Sequence, residues 1–353
     1  MWQEQITSHF AKAKGTGALL ILLTGLLFLL ILLSASCGYI KIPFITTLKI
    51  IYGKLFHKKE ILKGINRTFI SVICDVRLPR IMSAVFIGMS LSVAGVIFQG
   101  VLLNPLADPY TLGVSAGAAF GASIALVLGI FGLSYSVPIF AFCGAISTLA
   151  FVIFLSLSDS SITSTNLILS GVIITAILSA GISFIKFLAD EHVSVIIFWL
   201  MGSLASKTWK DVLLVFTFFL FGFFISYTFS KELNLLALGD KIASSLGVNT
   251  NFLRILLLTT ASLMTSICVS ISGIIGFIGL IVPHFMRFIT GADNTRLMPA
   301  SAISGGILLL GADTLSRTVL PVELPIGVLT ALIGGPIFCI IFKKRQKSLY
   351  QSE

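Results

Sequence analysis

Long apolar runs separated by short polar islands set the pattern of this chain. About 20 apolar residues cross about 30 Å of hydrocarbon. On that measure the runs give about ten segments, near 17–36, 81–101, 111–130, 136–157, 166–188, 211–230, 253–272, 274–289, 298–318 and 325–342. The eighth follows Ser272-Gly273 almost without a loop. A further apolar stretch, Val193 to Gly202, is too short to cross and predicts an interfacial or re-entrant helix, with Trp199 suited to the headgroup boundary. Small residues recur every four positions in the third segment, at Gly113, Gly117 and Gly121, a spacing that lets helices approach closely in lipid. The pattern predicts an all-α polytopic membrane protein, with residues 1–353 forming a single transmembrane domain. An even count puts both termini on one side.

One polar island differs from the rest. Leu235, Leu238, Ile242 and Leu246 fall at spacings of three, four and four, which predicts a two-turn helix with one apolar face. Asp240 is placed to cap its N-terminus, and Gly247 to end it in the left-handed region. Isolated helices of about 12–15 residues are already marginal in water. The apolar face therefore packs against this chain or against a second protein. Gly239, Ala243 and Gly247, four apart, form a slim ridge beside it.

Composition sharpens the membrane reading. The chain is 56% hydrophobic and 11% charged, with mean hydropathy +1.06, and its charges sit between the apolar runs. That segregation is what lipid demands, since a charge at mid-bilayer costs about 2.5–3.5 kcal/mol. A net charge of +10 suits anionic headgroups. The basic residues are scattered among loops, which speaks against nucleic acid as a partner. They also nearly tie between the two sides, so the positive-inside rule orients the segments only weakly. The first run ends in Ser34-Ala35-Ser36-Cys37 and reads as an uncleaved span. Of five cysteines, Cys143, Cys268 and Cys339 lie in apolar runs as small core residues, while Cys37 and Cys74 flank one loop and could meet. No spacing predicts a metal site.

Several chemistries are absent from the sequence. There is no GxxxxGK[ST], so no P-loop nucleotide site, and no HExxH, GxSxG or paired carboxylate within a segment. Ionisable residues are missing from the segment centres, where ion-coupled carriers place theirs. These absences favour a permease driven by another chain over two alternatives, an ion-coupled secondary transporter and a non-transporting membrane scaffold subunit.

The remaining motifs are short. Arg77-Leu78-Pro79-Arg80 opens the second segment, with Pro79 in a first helical turn and the two arginines expected to project together into the aqueous boundary. Arg317 lies on the same side. Gln99 to Pro109 contains Asn104-Pro105-Leu106-Ala107-Asp108-Pro109, a rigid reversal, followed by Leu112 to Gly117. Gly273 to Arg287 includes Pro283-His284, where the histidine reads as a hydrogen-bonded structural residue. Glu323-Leu324-Pro325-Ile326-Gly327-Val328 precedes the last segment.

In this order and spacing the strings resemble the permease subunits of ABC importers for iron-siderophores, haem and vitamin B12, the FecCD-type or type II importer family. The resemblance covers residues from about 77 to 342. It implies ten helices in the type II arrangement, in a bacterial or archaeal plasma membrane, with both termini cytoplasmic. It implies a second permease copy or paralogue, two cytoplasmic P-loop ATPase subunits that hold ATP and Mg, and an external substrate-binding protein. This chain then binds no cofactor and is not itself an enzyme. By the same resemblance Arg77, Arg80 and Arg317 dock the binding protein, and Asn104, Leu106 and Ser164 stand at the cytoplasmic gate. The helix near 238–247, with Leu238, Gly239, Asp240, Ala243, Leu246 and Gly247, couples to an ATPase. The cargo expected is an iron chelate, ferric siderophore or haem, or cobalamin.

Overall fold

The computed structural model describes residues 2–129, 136–158, 161–190, 193–318 and 323–350. The described residues are helices and the turns that join them, apart from a two-residue antiparallel pairing of Leu157–Ser158 with Ser161–Ile162. In chain order the helices are α1 (Trp2–Ser36), α2 (Phe44–Leu55), α3 (Lys59–Leu62), α4 (Arg67–Ser71), α5 (Leu78–Val101), α6 (Val114–Val127), α7 (Ser136–Ser156) and α8 (Ser164–Leu188). There follow α9 (Val193–Leu200), α10 (Trp209–Thr228), α11 (Ser230–Leu236), α12 (Asp240–Ser245), α13 (Thr250–Ser272), α14 (Ile278–Thr290), α15 (Asn294–Ser316) and α16 (Ile326–Tyr350). A π-helical turn, Val72–Arg77, joins α4 to α5 in one rod of 35 residues.

Among the described residues seven helices are long and apolar enough to cross a membrane, and α6, α14 and the Ile326–Cys339 part of α16 are shorter apolar helices. Together they coincide with the ten segments read from the sequence. Two of the three short ones start late for a physical reason. Gly113 takes a left-handed φ of 73° and so precedes α6 instead of belonging to it. Gly273 to Phe277 is unwound, with Phe277 at φ 68°, so α14 begins only at Ile278. The short apolar stretch after residue 192 forms α9, as its length requires.

Helices α5, α13 and α15 are mostly buried, whereas α1, α8 and α10 present most of their apolar surface outward, as a lipid-facing ring must. Small residues permit the central contacts. A methyl group added at Gly88 of α5 would overlap the carbonyl of Gly305 on α15, and one at Gly305 would overlap that of Gly88. The same close approach joins Gly117 of α6 to Gly144 of α7. Gly117 and Gly121 thus perform the packing expected of their spacing, without Gly113. Hydroxyls inside helices satisfy themselves on the preceding turn, Ser123 on the Ala119 carbonyl at 2.7 Å and Thr265 on Ala261 at 2.9 Å. The long loop after α1 folds as α2 and α3 around Ile42, Ile50 and Ile73.

The cysteines differ in part from expectation. Cys37 and Cys74 are free thiols and do not pair. Cys268 is buried, but Cys143 and Cys339 are exposed, because a lipid-facing position is as apolar as a core one and the sequence does not separate them.

Candidate functional site

The start of α5 marks one end of the bundle. Here Arg77, Arg80 and Arg317 do come together, but they do not project outward. Arg77 is 5% exposed and donates to the carbonyls of Ala35 (2.8 Å), Ser36 (3.0 Å) and Ile40. Arg317 donates to the carbonyls of Ser34 and Cys37, both at 2.8 Å. The two guanidiniums satisfy the carbonyls that the C-terminus of α1 leaves open. Projection of Arg77 into the aqueous boundary is therefore corrected: the π-helical turn that it closes carries the side chain under α1. Arg80 pairs with Asp313, which is wholly buried, at 2.9 Å, and its Nη1 donates to both oxygens of the exposed Glu323, at 2.9 and 3.0 Å. Asp313 lies 3.4 Å from Arg317 as well, so one carboxylate holds two arginines. Its position four residues before Arg317 was a readable helix-pair signal that the sequence reading passed over. Lys207 also reaches this end, and donates to the Ile271 carbonyl at 2.7 Å. Burial lowers the Lys207 pKa from its ordinary value.

At the opposite end α5 stops and the chain reverses. The Asn104 side-chain oxygen accepts from the Leu106 N–H at 3.0 Å, and Leu103 turns through a left-handed φ of 52°. Leu103 and Leu106 remain exposed. The Ser164 hydroxyl, in the first turn of α8, donates to the Val101 carbonyl at 3.1 Å, which sets it against the end of α5 that leads into Asn104 and Leu106. One turn earlier, Gln99 is buried, donates to the Leu280 carbonyl at 3.2 Å and accepts from Arg287 at 3.1 Å. This bridge to α14 was not read from the sequence. His284 is nearly buried and stands edge-on to Phe288.

The polar island lies at this same end. Helix α12 starts after Gly239, which takes φ 103°, and closes after Gly247 at φ 87°, with the N–H of Val248 bonded to the Ala243 carbonyl and that of Gly247 to Ser244. This is the glycine-terminated motif expected of the sequence. Leu238 (58% exposed), Ile242 (50%) and Leu246 (58%) stand clear of the chain, so the apolar face does not pack internally. Three details are corrected. The stripe does not lie on one helix, because Leu235 belongs to α11, Leu238 to the turn before Gly239, and Leu246 to the cap of α12. Asp240 does not cap the helix; it makes a bidentate pair with Arg254 on α13, at 2.6 and 3.0 Å. The small-residue ridge is not an outer surface, because Ala243 is fully buried against the chain while Gly239 and Gly247 serve the turns. Arg254, 2% exposed, anchors the helix from inside.

The segment before α12 ties it to the bundle. Leu233 of α11 packs on Gly100 of α5. Asn234 donates to Asp293 at 2.8 Å and accepts from the Asn294 N–H at 2.9 Å. Burial alone would raise the Asp293 carboxyl. The donors from Asn234 and Thr295 and the charge of Arg296 outweigh it and hold the group below its ordinary value.

With this geometry in hand, four similarities bear on function. The FecCD transport family matches residues 26–344. The uncharacterized ABC transporter permease protein YvrB of Bacillus subtilis is 38% identical over 323 residues, 90% of this chain and 91% of that protein. The Fe(3+)-citrate import system permease protein YfmE of the same organism is 40% identical over 80% of this chain and 85% of its own. Among solved structures, a metal-chelate type ABC transporter in an inward-facing conformation superposes with a TM-score of 0.80 at 34% identity, covering 93% of this chain and 99% of that one.

Proposed function

The chain belongs to the FecCD transport family of ABC permeases, and from that premise we propose that it forms, with a second permease, the membrane path for a metal chelate. An iron chelate or cobalamin is the cargo, in keeping with the iron-citrate, haemin and cobalamin permeases among its relatives. Energy comes from two P-loop ATPase subunits on the side of α12, and both chain termini lie on that cytoplasmic side. No residue of this chain hydrolyses ATP.

The observation that carries the reading is the exposed stripe of Leu238, Ile242 and Leu246 on a helix and its flanking turns, held from behind by Arg254. Ile242 on the six-residue helix, with Leu238 and Leu246 flanking it, stays in water only at a cost, and a groove in an ATPase subunit removes it. Movement of α12 passes through Leu233 on Gly100 to the end of α5, where Asn104, Leu106 and Ser164 form the cytoplasmic gate. The external binding protein docks at the arginine end. There Arg77 and Arg317 shape the surface from beneath, and Arg80, 12% exposed, meets a partner carboxylate by exchanging the exposed Glu323 for it while keeping Asp313.

The test replaces Leu238, Ile242 and Leu246 together by serine. Reconstituted with the ATPase and binding protein in liposomes, the variant should fold as the wild type does yet lose both ATPase association and uptake. Retention of both would remove the coupling role of α12.

A further inference from the structure

Segment counting leaves Asp108 in a loop, but the loop does not stay at the membrane surface. After Val101 the chain climbs back along α5 until the Pro109 ring lies 3.6 Å from where a side chain on Gly279 would begin; Gly279 itself touches Leu91 and Gly95 of α5. Gly95 is about 9 Å along the helix from Val101 at 1.5 Å per residue. Asp108 and Tyr110 are thus held within the bundle, where they line a cavity of about 440 Å³ with Met201, the unwound Gly276 and Phe277, and Val328 of α16. The remaining lining is apolar.

The polar atoms here are unevenly satisfied. Asp108 Oδ1 accepts from the N–H groups of Tyr110 (3.0 Å) and Thr111 (3.1 Å) and from the Thr111 hydroxyl (3.1 Å). Oδ2 takes no hydrogen bond from the described residues, and no described lysine or arginine pairs with the carboxylate. The Tyr110 hydroxyl is buried and faces the open side of Gly276, with the Ser115 hydroxyl near it but outside hydrogen-bonding geometry. Burial works against ionisation of Asp108 and the three donors on Oδ1 offset it only in part, so the open Oδ2 in an otherwise apolar cavity leaves a place for a positive charge to hold the group ionised. The phenol oxygen offers a second ligand, and unwound backbone is a recurrent lining of cation sites inside membrane proteins.

We propose that the Asp108–Tyr110 cavity is a cation subsite, taking a single positive charge on its free carboxylate oxygen and the tyrosine hydroxyl. The charge is either a monovalent inorganic ion or a cationic amine group of the cargo. The proposal stands on the cavity alone and does not depend on which proteins assemble with the chain. To test it, the purified full-length chain in lipid nanodiscs is melted against increasing sodium chloride or methylammonium chloride, with choline chloride holding ionic strength constant. A saturable rise in melting temperature with either salt supports the subsite; sodium identifies an inorganic ion, and methylammonium alone identifies an amine. Asp108→Asn keeps the Oδ1 acceptor for the loop and should abolish the rise. Tyr110→Phe should weaken the apparent affinity about tenfold, the worth of one hydrogen bond near a charge. No saturable rise with either salt, or a rise that persists in Asp108→Asn, overturns the proposal. Infrared difference spectra of the wild type provide a check that needs no variant. A carboxylate band that shifts on adding the cation supports the subsite, and a protonated carboxyl band unmoved by both cations refutes it.

Discussion

Replacing Asp240 by alanine removes the only ion pair between α12 and the bundle among the described residues. The pair is bidentate, at 2.6 and 3.0 Å, with Arg254 2% exposed and Asp240 47% exposed. Exposed pairs are worth about 0–1 kcal/mol, whereas breaking a buried pair costs about 3–5 kcal/mol because one charge stays behind unpaired. With one partner at each extreme, the loss for this pair is about 2 kcal/mol, an intermediate that discounts Asp240 for its solvent. At 1.4 kcal/mol per factor of ten, the balance between the seated and detached helix shifts about 30-fold. Helix α12 has six residues and no internal means of staying folded once released. Native-state amide exchange reads this directly. Protection of the amides that α12 and its terminal turn bury, those of Ala243, Leu246 and Val248, should fall about 30-fold in Asp240→Ala, while the melting temperature of the bundle barely moves. Asp240→Asn retains an acceptor for one of the two donated bonds and should lose less. Wild-type protection in the alanine variant would show that Arg254 does not anchor the helix and cannot link α12 to the bundle.

Other consequences follow from the same contacts. Gly88→Ala places a methyl against the Gly305 carbonyl at the central crossing of α5 and α15, and should cost about 1–3 kcal/mol or more, read as a lower melting temperature in detergent. Arg77→Met strands the carbonyls of Ala35, Ser36 and Ile40 and should cost about 3 kcal/mol; the more conservative lysine should recover only part, since it cannot reach all three at once. Asp293 has a lowered pKa in the folded chain, so its contribution is complete above the ordinary carboxylate value and is lost as pH falls through the lowered folded value. Asp293→Asn should therefore melt below the wild type at neutral pH, and the gap should close in acid.

Much of this architecture was legible because lipid imposes a simple rule. Ten apolar runs became ten helices, and the glycine that ends α12 was evident from Leu246-Gly247-Val248. What stayed hidden was the direction in which charged side chains turn. Arg77 read as a surface residue because nothing local distinguishes an arginine facing water from one facing a row of helix-end carbonyls. Arg77 finds Ala35 42 residues away, and Arg80 finds Glu323 across 243. Asp108 was hidden for the converse reason. A run of Asn, Pro and Asp marks a turn, but sequence does not say that the turn is folded back into the membrane.

The arrangement of Arg317 beneath α1 also bears on how the protein is made. Within this sequence α1 precedes the other spans, and it is among the least buried of them. Its C-terminal carbonyl at Ser34 waits for a donor 283 residues further along the chain. Until α15 has been inserted, α1 has in the bilayer neither its packing partner nor the guanidinium of Arg317 that closes its end. Arg77 reaches the end of α1 as soon as α5 is made, but the fastening is complete only when α15 and Arg317 have followed.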